Sequence, residues 1–281
     1  MLDSLARQDW PNCKVMVRDD GSDDDTPEVI NSFSEKLAIE VDYGSNLGTK
    51  ASFAHLLSNA PEAEATFFAD QDDIWYPDKV RRAMAALARV PSSRAAMYCS
   101  ALDIVTDALK PIAKSPVWPK PPSFANALVE NIATGCTIAL NGEAAKILRR
   151  HPPPHDAIMH DWWAYLVISA LGEVIYDPVP SLAYRRHARN QVGLPSGQLD
   201  WLVARLRRQM KSNFVRPLIA QAHAVRTALG DELATEARAM VDRLCAIDTL
   251  SGRLAFLAEH QIHRQFTRDQ ALLKLMVLFS V

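Results

Sequence analysis

Phe67-Phe68-Ala69-Asp70-Gln71-Asp72-Asp73-Ile74-Trp75 is the stretch that decides the fold. The apolar run Thr66–Ala69 has strand character and delivers three carboxylates at its C-terminal end, where open α/β sheets bind their ligands. Acids this close repel one another unless a cation neutralises them. Hard divalent ions such as Mg²⁺ or Mn²⁺ favour carboxylate oxygens and leave coordination positions open for phosphate. The plainer alternative is a solvated acidic loop in which an Asp caps the next helix. Direct emergence from an apolar strand, and the flanking aromatic residues, weigh toward the ion.

Working outward, the first two-thirds of the chain alternates short apolar runs with helical patterns, as an α/β domain does. Val15–Val17 predicts a strand that runs into Asp19-Asp20-Gly21-Ser22-Asp23-Asp24-Asp25. An EF-hand loop begun at Asp19 needs a bidentate Glu at its twelfth position, and Ile30 stands there. The cluster therefore reads either as a turn that caps the next helix or as a place where Asp19 and Asp20 meet a nucleotide. Thr26-Pro27-Glu28 predicts a helix start with Thr as cap and Pro in the first turn. Strands are expected at Ile39–Tyr43, Ala95–Cys99, Ala133–Leu140 and, as one or two, Val174–Tyr184. Helices are expected through Phe53 and Leu57, over 77–88 and over Asp161–Leu171. Pro111 to Pro122, rich in proline, predicts a long surface loop.

From about Leu199 the pattern turns helical and basic. Leu202, Val203, Leu206 and Met210 share one side of a helix over 201–211, with Arg205, Arg207, Arg208 and Lys211 around the rest. That helix is read either as packing on the preceding domain or as touching an anionic membrane surface. Helical patterns continue over 217–230, 231–247 and 253–279. The domain boundary is expected near 195, giving 1–195 and 196–281.

Composition narrows the function classes. The 281 residues are 48% hydrophobic and 23% charged, which is globular rather than disordered or fibrous. A net charge of −2 gives no general attraction for nucleic acid, although the acidic excess lies in 1–195 and the basic excess in 196–281. The four cysteines are far apart with no CxxC, against a zinc site or disulfide framework and in keeping with a cytoplasmic setting. His151-Pro152-Pro153-Pro154-His155 is expected as an exposed loop, its prolines arguing against zinc binding.

In order along 1–195, several motifs stand together: Val17-Arg18-Asp19-Asp20-Gly21-Ser22-Asp23-Asp24-Asp25-Thr26, Asn46-Leu47-Gly48, Phe68-Ala69-Asp70-Gln71-Asp72-Asp73-Ile74-Trp75, Thr134-Gly135-Cys136, His160-Asp161-Trp162-Trp163, and Tyr184-Arg185-Arg186-His187 with Asn190 and Gly193. Each is weak alone, but the ordered set resembles the family 2 glycosyltransferases of GT-A fold. The Asp-Gln-Asp-Asp-Ile-Trp form is most similar to their bacterial rhamnosyltransferase-like branch, which builds cell-surface polysaccharides. The resemblance implies a mixed α/β sheet flanked by helices, with a mainly helical C-terminal appendage. It implies an inverting, metal-dependent transfer of a sugar, with rhamnose the candidate, from a dTDP- or UDP-linked donor to a saccharide or lipid-linked acceptor.

Residue by residue, the resemblance assigns Asp19 and Asp20 to the nucleotide, with Asn46 and Gly48 beside it. Asp70 corresponds to the ribose-contacting Asp of the DxD pair and Asp72 to the metal-binding one, with Asp73 in support. Asp161 corresponds to the general base, His187 to a position that completes the metal site or touches the diphosphate, and Arg185 and Arg186 lie near the donor. Ser52 stands where this branch often carries Asn, and Arg186 where it often carries Gln. Without the family, Asp161 reads equally as a helix cap, and Trp162 or Trp163 as core or as a sugar-stacking surface. Relatives begin with a strand that precedes the helix read here at 2–8, so an open edge is expected beside Val15–Val17 and with it a weakened base site. One rival is accordingly a nucleotide- or saccharide-binding remnant. Another is a nucleotidyltransferase, disfavoured because no Gly-rich, basic phosphate loop opens the chain.

Overall fold

The computed structural model describes residues 1–186 and 214–279. Among the described residues, ten strands and the helices between them follow the expected alternation. The elements before the acidic stretch are α1 (Leu2–Ala6), β1 (Lys14–Asp19), α2 (Thr26–Asn31), β2 (Ala38–Tyr43), α3 (Thr49–Asn59) and β3 (Ala65–Phe67). After it come β4 (Ile74–Trp75), α4 (Lys79–Leu87), β5 (Ala96–Ser100), β6 (Asp103–Thr106), β7 (Pro111–Lys114), α5 (Phe124–Ala127), β8 (Ala139–Asn141), α6 (Gly142–Arg150), α7 (His160–Leu171), β9 (Glu173–Asp177) and β10 (Leu182–Arg186). The C-terminal region contributes α8 (Val215–Leu229), α9 (Thr235–Cys245), α10 (Leu250–Leu257) and α11 (Thr267–Leu278).

Three sheets form: β1–β2 in parallel, β3-β8-β5-β9, and β4-β10-β6-β7. β1 and β3 are both edge strands among the described residues. β5 is buried along its whole length, which is why it reads as a continuous apolar run without alternation. β10 pairs antiparallel with β4 through Leu182 and Ala183 and parallel with β6, so the segment just after the acidic stretch is stitched to the strand that carries Arg185 and Arg186.

Several local expectations are corrected. Ala133–Leu140 is not one strand: Gly135–Thr137 forms a 3₁₀ turn, and only Ala139–Asn141 pairs. Pro111 opens strand β7, an edge position where the missing amide hydrogen costs nothing, and the loop starts after it. The helical pattern over 253–279 breaks into α10 and α11. Thr26 is the first helical residue rather than the cap: Asp25 occupies that position, and Asp24 Oδ1 accepts from the Thr26 amide at 3.0 Å. The strand before Asp70 ends at Phe67. The helix expected over 201–211 lies outside the described residues.

One apolar core runs from Leu57, Phe68 and Met97 through Trp163 and Ile168 of α7 to Val225, Val241 and Leu273 of the C-terminal helices. A buried polar seam fixes their register. The Gln265 amide donates to Glu130 Oε2 at 2.7 Å, Arg264 Nε to the Val129 carbonyl at 3.2 Å, and Asn126 Nδ2 to the His263 carbonyl at 3.1 Å. Asn126 Oδ1 in turn accepts from the Tyr165 hydroxyl of α7 at 3.0 Å.

Gly172 ends α7 where β9 approaches β5. A Cβ built there lies 2.4 Å from the carbonyl oxygen of Ala95, the same oxygen that receives the Glu173 amide. Gly172→Ala forces the two strands apart and is expected to lower stability by about 1–3 kcal/mol, the usual cost of overpacking. Denaturant unfolding checks this; an unchanged midpoint means that the strands separate without cost.

Candidate active site

β1 ends in two carboxylates that the chain uses differently. Asp19 is buried, and its Oδ1 accepts from the amides of Gly21 at 3.0 Å and Ser22 at 2.8 Å, which ties down the turn after the strand. Asp20 faces the other way. Its Oδ2 accepts from the Ser52 hydroxyl at 2.6 Å and the Leu47 amide at 3.2 Å, while Oδ1 receives Arg18 Nε at 3.1 Å. Burial alone would raise the Asp20 pKa; the bonds from Ser52 and Arg18 outweigh it and hold the carboxyl below its ordinary range. Ser52, the departure noted above, is thus a direct partner of Asp20.

Arg18 is the organiser here that the sequence did not announce. It also pairs with Asp42 at 2.9 Å and donates to the Ser45 carbonyl at 3.1 Å. Gly44 makes room for it, since a Cβ there would meet the guanidinium at 2.3 Å. Asn46 Oδ1 accepts from the Gly48 amide at 2.8 Å, so this pair shapes the entry to α3.

The second cluster forms where β3 gives way to β4. The Sγ of Cys136 and one carboxylate oxygen each from Asp70 and Asp73 lie within 4.8 Å of one another. Asp73 is fully buried, and its Oδ1 receives the Arg185 amide of β10 at 3.3 Å. Asp70 is half-buried and pushed up to about 7, first by burial and then by the fields of Asp73, Asp72 and Asp161. Asp73 is pushed up to about 6 by burial, with the Cys136 thiol and the Arg185 amide pulling it back. Asp72 is half-buried beside the pair, while Gln71 is exposed. Lys79 at the start of α4 lies wholly beneath this centre, its ammonium bonded to the Cys136 carbonyl at 2.6 Å and lowered by burial to about 8.

Asp161 reaches the centre from α7. It sits in the first turn of that helix, not at its cap, which is Met159. Its Oδ2 accepts from the Gly135 amide at 3.0 Å and its Oδ1 from the Trp162 amide at 2.6 Å. Burial pushes it up to about 6 against those bonds. The 3₁₀ turn Gly135–Thr137 therefore touches both halves of the site: Gly135 holds Asp161, and Cys136 borders Asp70 and Asp73. His160, next to Asp161, stacks on Phe53 at 4.0 Å and is held neutral by burial, down to about 4. Trp162 and Trp163 are both buried, with their indole N–H groups on the carbonyls of Ala127 and His151, so neither is free to stack on a sugar.

The structure thus brings Asp70, Asp73, Asp161 and the β10 backbone at Arg185 together, and gathers Asp19, Asp20, Asn46 and Gly48 at the ends of β1 and β2. Arg186 closes β10 and is half-buried; His187 lies outside the described residues. Lys79 is the participant that sequence reasoning missed, while Arg18, Ser52 and Cys136 stood in or beside the motifs with their bonds unread. Thr134-Gly135-Cys136 had been noticed as a motif, but only folding gives its amide and thiol their places.

Residues 1–140 match the model of glycosyl transferase family 2. Among curated proteins, the chain is 24% identical over 206 residues to the dTDP-rhamnosyl transferase RfbG of Shigella flexneri, covering 68% of this chain and 69% of that protein. It is 26% identical over 198 residues to the uncharacterized protein Rv1520 of Mycobacterium tuberculosis, spanning 54% of that protein. Among solved structures, S. aureus TarS 1-349 in complex with UDP-GlcNAc superposes with a TM-score of 0.60 at 17% identity, covering 91% of this chain and 68% of that one. The mannosyltransferase PcManGT of Pyrobaculum calidifontis, in complex with GDP-Man and Mn²⁺, gives 0.50 at 17% identity, with 99% and 79% covered. With the family's motifs in order and its model matched from residue 1 to residue 140, this chain carries a glycosyl transferase family 2 domain.

Proposed function

We propose that this protein transfers a sugar, with inversion, from a nucleoside diphosphate donor to an acceptor hydroxyl, and that the sugar is rhamnose carried on dTDP. The observation that supports it best is the shared turn. One short segment borders the acidic pair and also orients a carboxylate of suitable basicity, so a leaving group and a general base are served within one site. The carboxylates fit a hard divalent ion such as Mg²⁺ or Mn²⁺. Asp73 contributes a buried oxygen, Oδ2, with no hydrogen-bond partner among the described residues. Asp70 and Asp72 would hold the ion, with Asp73 in support and His187 the further candidate. When bound, it neutralises the leaving diphosphate as a Lewis acid.

The chain's own residues do the rest. Asp20, held ionised by Arg18 and Ser52, and Asp19, through the turn it fixes, bind the nucleoside side by side with Asn46 and Gly48. Arg185 and Arg186 line the diphosphate. Asp161 takes the proton from the acceptor hydroxyl as the new bond forms, and a single displacement of this kind inverts the anomeric carbon. A pKa near 6 leaves Asp161 ionised at neutral pH yet basic enough to accept that proton.

A screen of nucleotide-sugars for donor hydrolysis, with and without Mn²⁺ or Mg²⁺, tests the reading. Turnover of dTDP-rhamnose that depends on the ion is expected. Binding without turnover of any donor would favour the remnant reading instead. The reference to RfbG supports the rhamnosyl assignment, and a preference for UDP-linked sugars would overturn it.

We further propose that the domain division falls near 195, and that the acceptor is a saccharide or lipid-linked saccharide of the cell surface, met at the inner face of the plasma membrane. The basic, one-sided pattern over 201–211 supports this. No described helix is long and apolar enough to cross a membrane. Flotation with anionic liposomes at low salt is expected to carry the protein upward; failure to float removes the membrane contact.

A further inference from the structure

A lysine buried without compensation is rarely tolerated, because the ammonium loses its hydration. Lys79 is 0% exposed. Its ammonium donates to the Cys136 carbonyl at 2.6 Å and, more weakly, to the Ser181 hydroxyl at 3.4 Å. It also lies 4.3 Å from the centroid of the Trp75 ring, two residues beyond Asp73, where a cation is attracted by the π face. These contacts come from three separate segments: β4, the 3₁₀ turn and the entry to β10. They satisfy hydrogen bonds, but they supply no formal negative charge.

That charge comes from Asp73 and Asp70, whose fields act on Lys79. Cys136 stands between: its carbonyl takes the Lys79 bond, and its thiol lies within 4.8 Å of the ligand oxygens of Asp70 and Asp73. Two carboxylates are thus crowded above a buried ammonium, in a region where fields are weakly screened. Arg185, Arg82 and the Met1 amino group, which acts on Asp73 and Asp72, are the other cations nearby. Arg185 meets Asp73 through its backbone amide, and Arg82 is committed to Asp177 at 2.6 Å and to the Val179 carbonyl.

We propose that Lys79 is the built-in counter-charge of the acidic centre. It offsets Asp70 and Asp73 from below, allowing them to face one another before a divalent ion arrives, and it limits how tightly that ion is held. Lys79 is therefore a positioning residue, acting on the carboxylates and touching no substrate. The proposal rests on the reading of this centre as an ion-binding site only in its second part.

A double-mutant cycle on the full chain tests the first part without any metal. Lys79→Met keeps length and volume, and Asp73→Asn keeps shape, so the cycle isolates the charge. Each single change is expected to destabilise by leaving the other charge uncompensated, and the double variant to lose clearly less than the sum. Additive losses would show Lys79 to be a hydrogen-bonding peg and would overturn the proposal. If Lys79→Met does not fold alone, recovery of folding in the Lys79→Met, Asp73→Asn chain supports the proposal, and failure of both overturns it. The second part is tested by titrating Mn²⁺ into parent and Lys79→Met. Affinity is expected to rise by about tenfold on losing the opposing charge, and an unchanged or weaker affinity overturns the limiting role. If the parent binds no Mn²⁺, the ion-site reading fails, while the cycle still decides the counter-charge.

Discussion

Replacing Asp161 with Asn should lower the rate of transfer by about 10²–10⁴-fold, the range that general-base help is worth, while leaving donor affinity nearly unchanged. The amide is isosteric and its oxygen can still accept from Gly135 or Trp162, so the local turn survives. What it loses is the ability to take a proton. The parent's pH dependence carries the same signature. Burial raises Asp161 to about 6, so the active carboxylate form predominates above that pH and is lost below it. The rate should fall about tenfold per pH unit on the acid side of 6, as expected for one essential base, and this limb should vanish in Asp161→Asn. Rapid-quench single turnover with saturating donor separates this step from product release. A variant within threefold of the parent would remove Asp161 from the proton transfer.

The second large effect is expected at Asp72. Asp73 is fully buried, whereas Asp72 is only half-buried and so open to a ligand from solvent. Asp72→Asn should weaken metal-dependent binding of UDP and dTDP by at least about 100-fold, since losing a direct carboxylate ligand costs more than losing a residue that only orients one. Its melting temperature should stay near that of the parent, because removing one of several crowded acids relieves repulsion. Calorimetry with each nucleotide, with and without Mn²⁺, measures this. Equal affinity in both proteins with the ion present would exclude Asp72 as a ligand.

Much of the α/β frame was legible because its signals are local. Val15–Val17, Ile39–Tyr43 and Ala95–Cys99 each carry an apolar run bounded by turn residues, and the strands formed where those runs stand. Motif order is what set Asp161 beside Asp70 and Asp72, although it stands far along the chain from them. What could not be read depends on long-range packing. Gly135-Cys136-Thr137 has the composition of a strand, yet it coils because Lys79 claims its carbonyl and Asp161 its amide. β6 and β7 were missed because four-residue strands leave too short a pattern, and a proline at an edge looks like a loop. Burial of a lysine leaves no mark at all in the local sequence. Lys79 looks like any first-turn surface residue until the fold closes over it.

The seam of Asn126, Glu130, Arg264 and Gln265 bears on how such a protein can diverge. It ties the C-terminal helices to Tyr165, one turn along the helix that carries Asp161. A lineage that acquired a foreign C-terminal region by recombination would inherit half of a matched buried polar set, and the orphaned half would be costly. Swapping that region should therefore succeed only between relatives whose C-terminal backbone meets Asn126 and Glu130 as it does here. Each of these bonds joins a side chain on one side to the backbone on the other, so Asn126, Glu130 and Arg264 should each be retained for the backbone they meet, even where the surrounding helices drift freely.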